Sequence, residues 1–230
     1  MKKSFWLAVF FLFLCSVSNS YAQDKGPVAK AINGFSTWGV YAWDSRSYNT
    51  FKLYYNERSL PFGLTSWGYI AFSGDSDQPQ DRYRLTAYLA DVRLSKPLAD
   101  GFQLESEYGS QTDKNDVGRF GLGYKFTVKD NFAWLRYFPS TLDGSGSKAS
   151  FSWRTWLWGK HLYTSGFIHY YMPDDWGYSS RNVDKIVAEP LIGYMLTKNL
   201  GLTVEYRYND FQKIARQKRE GIAYGVIYKF

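Results

Sequence analysis

Hydrophobic and polar residues alternate with a period of two along many short segments of this chain. The last ten residues show it most plainly, because large apolar side chains occupy every second position from Ile222 to Phe230 and mostly small or polar ones lie between them. Residues 201–209 repeat the pattern, with Glu205 and Arg207 on the polar face. This periodicity predicts β-strands with one apolar face.

Twelve segments of this kind are predicted to be strands. They lie at residues 35–43, 50–57, 64–73, 83–95, 101–109, 119–128, 131–138, 149–158, 162–172, 185–196, 201–209 and 221–230. Short links are predicted at 96–100, 129–130, 159–161 and 197–199, and longer ones at 74–82, 110–118, 139–148, 173–184 and 210–220. Short turns at one end and long loops at the other are typical of a transmembrane β-barrel.

Pro190 and two glycines do not fit a plain strand. Pro190 falls within the segment 185–196 and cannot donate a hydrogen bond to a neighbouring strand. We therefore expect either a bulge there or a strand that begins later. Gly121 and Gly123 form too short a motif for a phosphate-binding loop, and within a strand they indicate a close approach of another backbone.

The first 22 residues have the organisation of a secretory signal peptide. Lys2 and Lys3 form a short basic region, residues 5–14 are apolar, and Ala22 ends a candidate cleavage site. The apolar run is shorter than the roughly 20 residues that a transmembrane helix needs. We expect a signal peptide at 1–22 and a single barrel domain at 23–230, located in the bacterial outer membrane.

Composition supports a membrane barrel. Aromatic residues make up 20% of the chain, with 20 Tyr and 9 Trp, and membrane barrels use Tyr and Trp as girdles at both water interfaces. In hydrocarbon each unpaired N–H or C=O costs several kcal/mol, so a spanning sheet must close on itself. We predict an all-β fold, a closed antiparallel transmembrane barrel of about 12 strands. An aromatic-rich soluble β-sandwich is the alternative.

The faces opposite the apolar ones are expected to line the lumen and to contact solute. Thirteen such residues are the candidates: Lys52, Tyr54, Arg93, Glu105, Glu107, Trp134, Arg136, Arg154, Trp156, His169, Glu189, Glu205 and Arg207. Four more residues share this face: Asp91, Gln103, Lys125 and Lys229. Their charges could also pair across neighbouring strands and brace the wall, and their aromatic rings could fill space.

The number of strands predicts how wide the lumen is, and therefore what the barrel could do. Eight strands leave an interior filled by side chains, whereas 16 to 18 leave an open aqueous pore. Twelve strands lie between these limits and predict a narrow polar channel for passive diffusion of small polar solutes.

A known family shares this arrangement. The twelve short strands, the signal peptide, the aromatic strands punctuated by glycine and the closing segment at 221–230 resemble the nucleoside-specific outer-membrane channel family (Tsx-like), over nearly the whole mature chain. The resemblance implies a nucleoside channel. The sequence contains no binding motif that would assign a nucleoside contact to a particular residue.

A second family is also similar: the small porins for acidic oligosaccharides, which are twelve-stranded barrels with basic residues along the pore. Five residues would suit that function: Lys52, Arg93, Arg136, Arg154 and Arg207. Four carboxylates argue against a purely cationic wall: Glu105, Glu107, Glu189 and Glu205. The choice between the two families stays open on the sequence alone.

An outer-membrane lipid-modifying enzyme is a rival hypothesis. Nucleophilic catalysis needs a nucleophile, a base and an orienting carboxylate in mutual contact. The chain contains two histidines, and of these His169 could meet Glu189 and Ser165. No motif supports that grouping, so we expect no enzyme activity. Two histidines, and one cysteine that lies in the signal peptide, predict no metal site and no cofactor.

The remaining hypotheses concern partners. Four basic residues cluster in the last predicted outer loop and could attract lipopolysaccharide phosphates: Lys213, Arg216, Lys218 and Arg219. An adhesin or structural barrel would use this surface instead of the lumen. The chain has a net charge of +7, but the excess of basic residues is concentrated in this cluster. It does not form the extended basic surface that nucleic-acid binding needs. The C-terminal strand ending in Phe230 resembles the signal that the barrel-assembly machinery recognises.

Overall fold

The computed structural model describes residues 36–46, 48–74, 87–111, 116–141, 146–172, 184–210 and 219–230. The predicted signal peptide and most of the basic cluster in the last outer loop lie outside these residues. Within the described part, no helix is long and apolar enough to cross a membrane.

The described residues form thirteen strands and one short 3₁₀ turn at Pro61–Gly63. The strands are β1 (Ser36–Asp44), β2 (Tyr48–Leu60), β3 (Leu64–Ser73), β4 (Ala87–Pro97), β5 (Phe102–Gln111), β6 (Val117–Val128), β7 (Asn131–Thr141), β8 (Lys148–Trp158), β9 (Leu162–Tyr171), β10 (Lys185–Ala188), β11 (Leu191–Met195), β12 (Leu200–Asn209) and β13 (Glu220–Lys229). The predicted bounds agree to within a few residues at most ends. The exceptions are β2 and β7, which extend beyond their predicted ends at 57 and 138, and the interrupted segment 185–196. The predicted start of β4 at 83 lies outside the described residues.

These strands close into one antiparallel barrel. Apart from β10 and β11, which do not pair with each other, consecutive strands pair along the chain, and β1 pairs with β2 on one side and with β13 on the other. Strands β10 and β11 share a single position between β9 and β12, so the wall has twelve strand positions. The contact between β1 and β13 satisfies the two edges that an open sheet would expose. The predicted closed barrel of about twelve strands is confirmed.

The wall is interrupted at Glu189 and Pro190 without any change of register. Ala188 pairs with Ile168 and Leu191 pairs with Ser165, so the same number of residues separates the two pairs on both strands. Glu189 N still donates to Phe167 O at 3.0 Å, and Pro190 O accepts from Tyr206 N at 2.9 Å. Both predictions for this position, a bulge and a later start, were therefore wrong. The ladder breaks only because proline has no N–H.

The two faces of the wall differ in the way the alternation predicts. In β12, Leu202 and Val204 are 49% and 48% exposed, whereas Glu205 and Arg207 are 6% and 4% exposed. Among the described residues, large apolar side chains are also exposed along the other strands except β2 and β3. In water such a surface would be unfavourable, and in a bilayer it is the face that meets lipid.

The connections differ between the two ends of the barrel. One end has short links at 61–63, 98–101, 129–130, 159–161 and 196–199, and we call it the short-connection end. The other, the long-connection end, has links at 45–47, 74–86, 112–116, 142–147, 172–184 and 210–219. The predicted asymmetry holds, apart from the link between β1 and β2, which is short although it lies at the long-connection end.

Gly121 marks a close approach of the backbone, as predicted. A Cβ atom at this position would collide with the carbonyl oxygen of Tyr137 and lie 2.9 Å from Cδ1 of Phe138. The register between β6 and β7 shifts at this point, between Phe120 and Leu122. Only glycine therefore fits against the partner strand.

We expect Gly121→Ala to destabilise the barrel by about 1–3 kcal/mol, because the backbone of β7 must move to admit the methyl group. Urea unfolding in detergent micelles, followed by tryptophan fluorescence, measures the change. Gly109→Ala is the matched control, since the nearest atom to a Cβ there is 3.9 Å away. Equal unfolding midpoints for the two variants would contradict the steric explanation.

Candidate functional site

All thirteen residues proposed as lumen candidates lie on the inner face of the wall. Residues that pair across antiparallel strands point to the same side of the sheet, and the registers connect the thirteen across neighbouring strands. For example, Arg93 pairs with Glu107, and Glu107 pairs with Arg119. The same registers place Asp91, Lys125 and other charged residues on this face. The structure brings six of the thirteen into two networks of ion pairs.

The first network is centred on Glu107. Its carboxylate accepts from Arg93 Nε at 2.9 Å, from Arg119 Nη1 at 2.8 Å and from Lys148 Nζ at 2.7 Å. Arg93 Nη2 also donates to Asp91 at 2.6 Å. We call these five residues, three cations and two carboxylates, the Glu107 network. All are buried, and a buried charge that loses its partner is costly.

Aromatic rings surround the Glu107 network. The guanidinium carbon of Arg93 lies 4.8 Å from the centroid of Trp67. Lys148 Nζ lies 5.3 Å from the centroid of Tyr171, and Arg119 lies 5.7 Å from the same ring. Cations over ring faces gain electrostatic energy beyond that of their carboxylate partners. This part of the lumen is therefore braced by both ion pairs and aromatic contacts.

The second network surrounds Lys52. Lys52 Nζ lies 2.5 Å from a carboxylate oxygen of Glu189 and 2.9 Å from one of Glu205. Arg207 donates to Glu205 at 2.6 Å and to Asp44 at 3.1 Å. We call the following six residues, three cations and three carboxylates, the Lys52 network: Asp44, Arg46, Lys52, Glu189, Glu205 and Arg207.

Three lumen cations near the short-connection end have no ion pair within the described residues: Lys125, Arg154 and Lys229. We call them the basic wall. Each lies over an aromatic ring. The Nζ atoms of Lys125 and Lys229 are 4.6 Å and 5.6 Å from the ring centroids of Trp134 and Trp156. The guanidinium carbon of Arg154 is 5.9 Å from the ring centroid of Phe132. They are only partly buried. Cations without carboxylates on a partly exposed surface are able to bind anions.

Arg136 and Glu105 lie between the basic wall and the Glu107 network. Arg136 lies 4.4 Å from the Trp134 ring and donates to the hydroxyl of Ser152. Glu105 accepts from Ser95 Oγ at 2.8 Å. No ion pair joins Glu105 to a cation among the described residues. Glu105 is 2% exposed, so it contributes little negative surface to the lumen.

The residues of the enzyme hypothesis have other partners in the structure. His169 Nδ1 is 2.9 Å from the hydroxyl of Ser150, and its ring stacks on Phe167 with centroids 4.4 Å apart. Glu189 contacts Lys52, and Ser165 pairs with Arg154 and Leu191. The proposed grouping of His169, Glu189 and Ser165 was therefore wrong. No group of three metal-ligating side chains occurs in the part of the chain that is described.

Several members of the networks were not predicted from the sequence. Asp44 and Lys148 each lie one residue outside a predicted strand, so both had been assigned to loops. Arg119 began a predicted strand and is opposite Glu107 in the register, which was the signal available for it. Trp67 and Tyr69 alternate with smaller residues along β3 and could have been assigned to the lumen from that pattern.

No protein-family model matches this sequence, and no curated protein is similar to it. Solved structures match over most of their length. The KdgM porin is 15% identical with a TM-score of 0.50, and covers 85% of this chain and 99% of its own. The NanC porin is 11% identical with a TM-score of 0.54, and covers 84% of this chain and 98% of its own. The chain has the fold of small outer-membrane porins.

A third matching structure is the KdgM porin in complex with disordered oligogalacturonate, at 15% identity and a TM-score of 0.49. At these identities the likeness concerns the fold. The KdgM and NanC structures at TM-scores of 0.50 and 0.54 support the porin fold predicted from the strands, and the finer resemblance to nucleoside-specific channels stays a prediction.

Proposed function

We propose that this barrel is an outer-membrane channel for passive diffusion of small polar solutes. The observation that carries the proposal is the contrast between the two faces of one closed wall. The outer face is apolar and exposed, and the inner face carries charged residues on most of the strands. A protein that only anchored itself in lipid would not need so many charges inside, because each must be matched or hydrated. The fold shared with porins supports the same function.

The charges favour anionic solutes, and acidic saccharides in particular. Glu107, Glu189 and Glu205 each have a cation as partner, so they do not make the lumen anionic. The basic wall keeps its positive charge unmatched among the described residues and lies on a partly exposed part of the lumen. The carboxylates that argued against an acidic-saccharide porin are thus largely neutralised.

Nucleosides are the second candidate, and the aromatic rings are the observation that favours them. A base could stack on Tyr54, Trp134 or Trp156, which are all on the inner face. However, Tyr54 already stacks on Trp38, with centroids 5.2 Å apart and an interplanar angle of 7°. Trp134 and Trp156 each lie beneath a cation. These occupied ring faces weaken the nucleoside hypothesis relative to the acidic-saccharide one.

The location and the partners belong to the same proposal. Lipid and lipopolysaccharide would contact the exposed apolar face, and the barrel-assembly machinery would recognise β13, which pairs with β1 to close the wall. Phe230 follows β13 and is 72% exposed, so its ring is available for recognition. The binding of lipopolysaccharide by the last outer loop, and an adhesin function there, stay predictions.

Planar-bilayer recording of the purified protein tests the function. We expect steady single-channel steps and a preference for Cl⁻ over K⁺ in a KCl gradient. A galacturonate trisaccharide should block the current at a concentration about 100-fold lower than the neutral maltotriose, since the three cations of the basic wall together contribute about 3 kcal/mol. Adenosine is the third probe.

The outcomes separate the candidates. Block by adenosine at lower concentration than by the acidic trisaccharide would favour a nucleoside channel. Equal block by the acidic and the neutral trisaccharide would contradict the proposal that the basic wall attracts acidic solutes. Absence of any conductance from a barrel shown to be folded would contradict the channel function.

A further inference from the structure

The contact between Lys52 and Glu189 joins two distant parts of the wall. Lys52 lies on β2, and Glu189 lies between β10 and β11. Strands β1, β13 and β12 separate these two positions. At about 4.8 Å per strand, four steps correspond to roughly 19 Å along the wall, which is more than the two side chains can span along its surface. Their ion pair at 2.5 Å therefore crosses the lumen.

The interruption of the wall coincides with this contact. Glu189 is the last residue before Pro190, and the preserved register directs its side chain inward, opposite Phe167. Gly166 allows the two residues to come close, since a Cβ atom there would lie 2.6 Å from Glu189 O and 2.7 Å from Pro190 Cα. Proline and glycine thus fix the backbone at the position from which the carboxylate reaches across.

Exposure distinguishes Glu189 from the rest of the Lys52 network. Its side chain is 23% exposed, whereas those of Lys52 and Glu205 are 7% and 8% exposed. The other members are held by a second contact: Glu205 has Arg207, and Arg207 has Asp44. Glu189 is therefore the member of the network that faces open lumen and that is held by one cation in the contacts described.

We propose that Lys52 and Glu189 form the constriction of the lumen, and that the charge of Glu189 sets the ion selectivity there. The inference rests on the channel function proposed above and names the residues that limit the flow of ions through the lumen. With Glu189 ionised, the Lys52 network contains three cations and three carboxylates, so an ion at the constriction meets no net charge. Without that carboxylate, the network has an excess of one cation next to the narrowest part of the path.

Single-channel recording of two variants tests this proposal. Glu189→Gln keeps the size of the side chain and removes its charge, so we expect a shift of the reversal potential toward Cl⁻ with little change in unit conductance. Glu189→Ala also removes the obstruction, so we expect about a twofold or larger rise in unit conductance, since the limiting cross-section grows. Lys52 keeps Glu205 in both variants, which protects the fold.

Glu105→Gln and Glu105→Ala are the matched controls, because Glu105 is an inner-face carboxylate that does not reach across the lumen. Equal effects from the two positions, or unchanged conductance in Glu189→Ala, would overturn the constriction. Conduction by Glu189→Ala when the unaltered protein is silent would support it.

A cross-linking measurement does not depend on conductance. In the mature chain with Lys52→Cys and Glu189→Cys, a bifunctional thiol reagent about as long as the two lost side chains should join the pair in detergent. A folded barrel that conducts but fails to cross-link contradicts only the constriction. Efficient cross-linking in a folded barrel that is silent, in its unaltered form and as Glu189→Ala, contradicts the channel function. Silence together with failure to cross-link contradicts both.

Discussion

Replacing Glu107 with alanine is expected to remove about 3–5 kcal/mol from the free energy of unfolding, which is enough to prevent folding of a marginal barrel. The carboxylate of Glu107 is shared by Arg93, Arg119 and Lys148, and all of them are buried. Lys148 in particular has no other ion pair among the described contacts. The variant would leave a buried ammonium group without its carboxylate, and the cost is that of desolvation without compensation.

Urea unfolding in micelles and the mobility shift between unheated and boiled samples on a gel measure this loss. Glu220→Ala is the control, because Glu220 is exposed and accepts one hydrogen bond from Tyr206; its effect should stay below about 1 kcal/mol. The double variant Glu107→Leu with Lys148→Met should recover part of the stability, since apolar residues replace a buried pair at little cost. Unchanged unfolding of Glu107→Ala would show that the network does not stabilise the barrel.

The largest functional effect is expected from neutralising the basic wall with Lys125→Gln, Arg154→Gln and Lys229→Gln together. Each cation contributes about 1 kcal/mol to the attraction of an anion at contact distance in a well-hydrated site. The three together amount to about 3 kcal/mol, so the concentration of galacturonate trisaccharide that blocks the current should rise about 100-fold. The preference for Cl⁻ should fall at the same time.

The control removes the same number of charges at the same end of the barrel but outside the lumen. Lys129, Lys160 and Lys198 lie in the short connections and are exposed, so their replacement by glutamine should leave block and selectivity nearly unchanged. The neutral trisaccharide should behave alike in all three proteins. An equal loss of block in the control and the basic-wall variant would mean that surface charge at the entrance, and not the basic wall, attracts the solute.

The fold could be predicted because its determinants are local. Alternation along the 201–209 segment specifies a strand with an apolar and a polar face, and lipid requires the sheet to close. The inner face followed from the same rule, which is why all thirteen candidate residues point into the lumen. The behaviour at Pro190 was not predictable in this way, because whether a strand bulges or merely loses one hydrogen bond depends on the register of both neighbours.

The networks within the lumen could not be predicted for a different reason. The contact of Lys52 with Glu189 and that of Glu107 with Lys148 join strands that are not neighbours, so no sequence spacing indicates them. Both depend on side-chain length and on the shape of the barrel cross-section. The sequence also placed Lys148 in a loop, and an error of one residue at a strand end was sufficient to hide a main partner of Glu107.

The unequal distribution of charge along the lumen gives the barrel a polarity that its nearly symmetrical wall does not suggest. The two networks, with almost balanced charges, occupy the half near the long connections, and the unmatched cations occupy the other half. An anion therefore meets unmatched cations at the short-connection end and nearly balanced charges at the long-connection end. A solute that enters from one end therefore first meets a different charge from a solute that enters from the other end. This difference requires no conformational change of the protein.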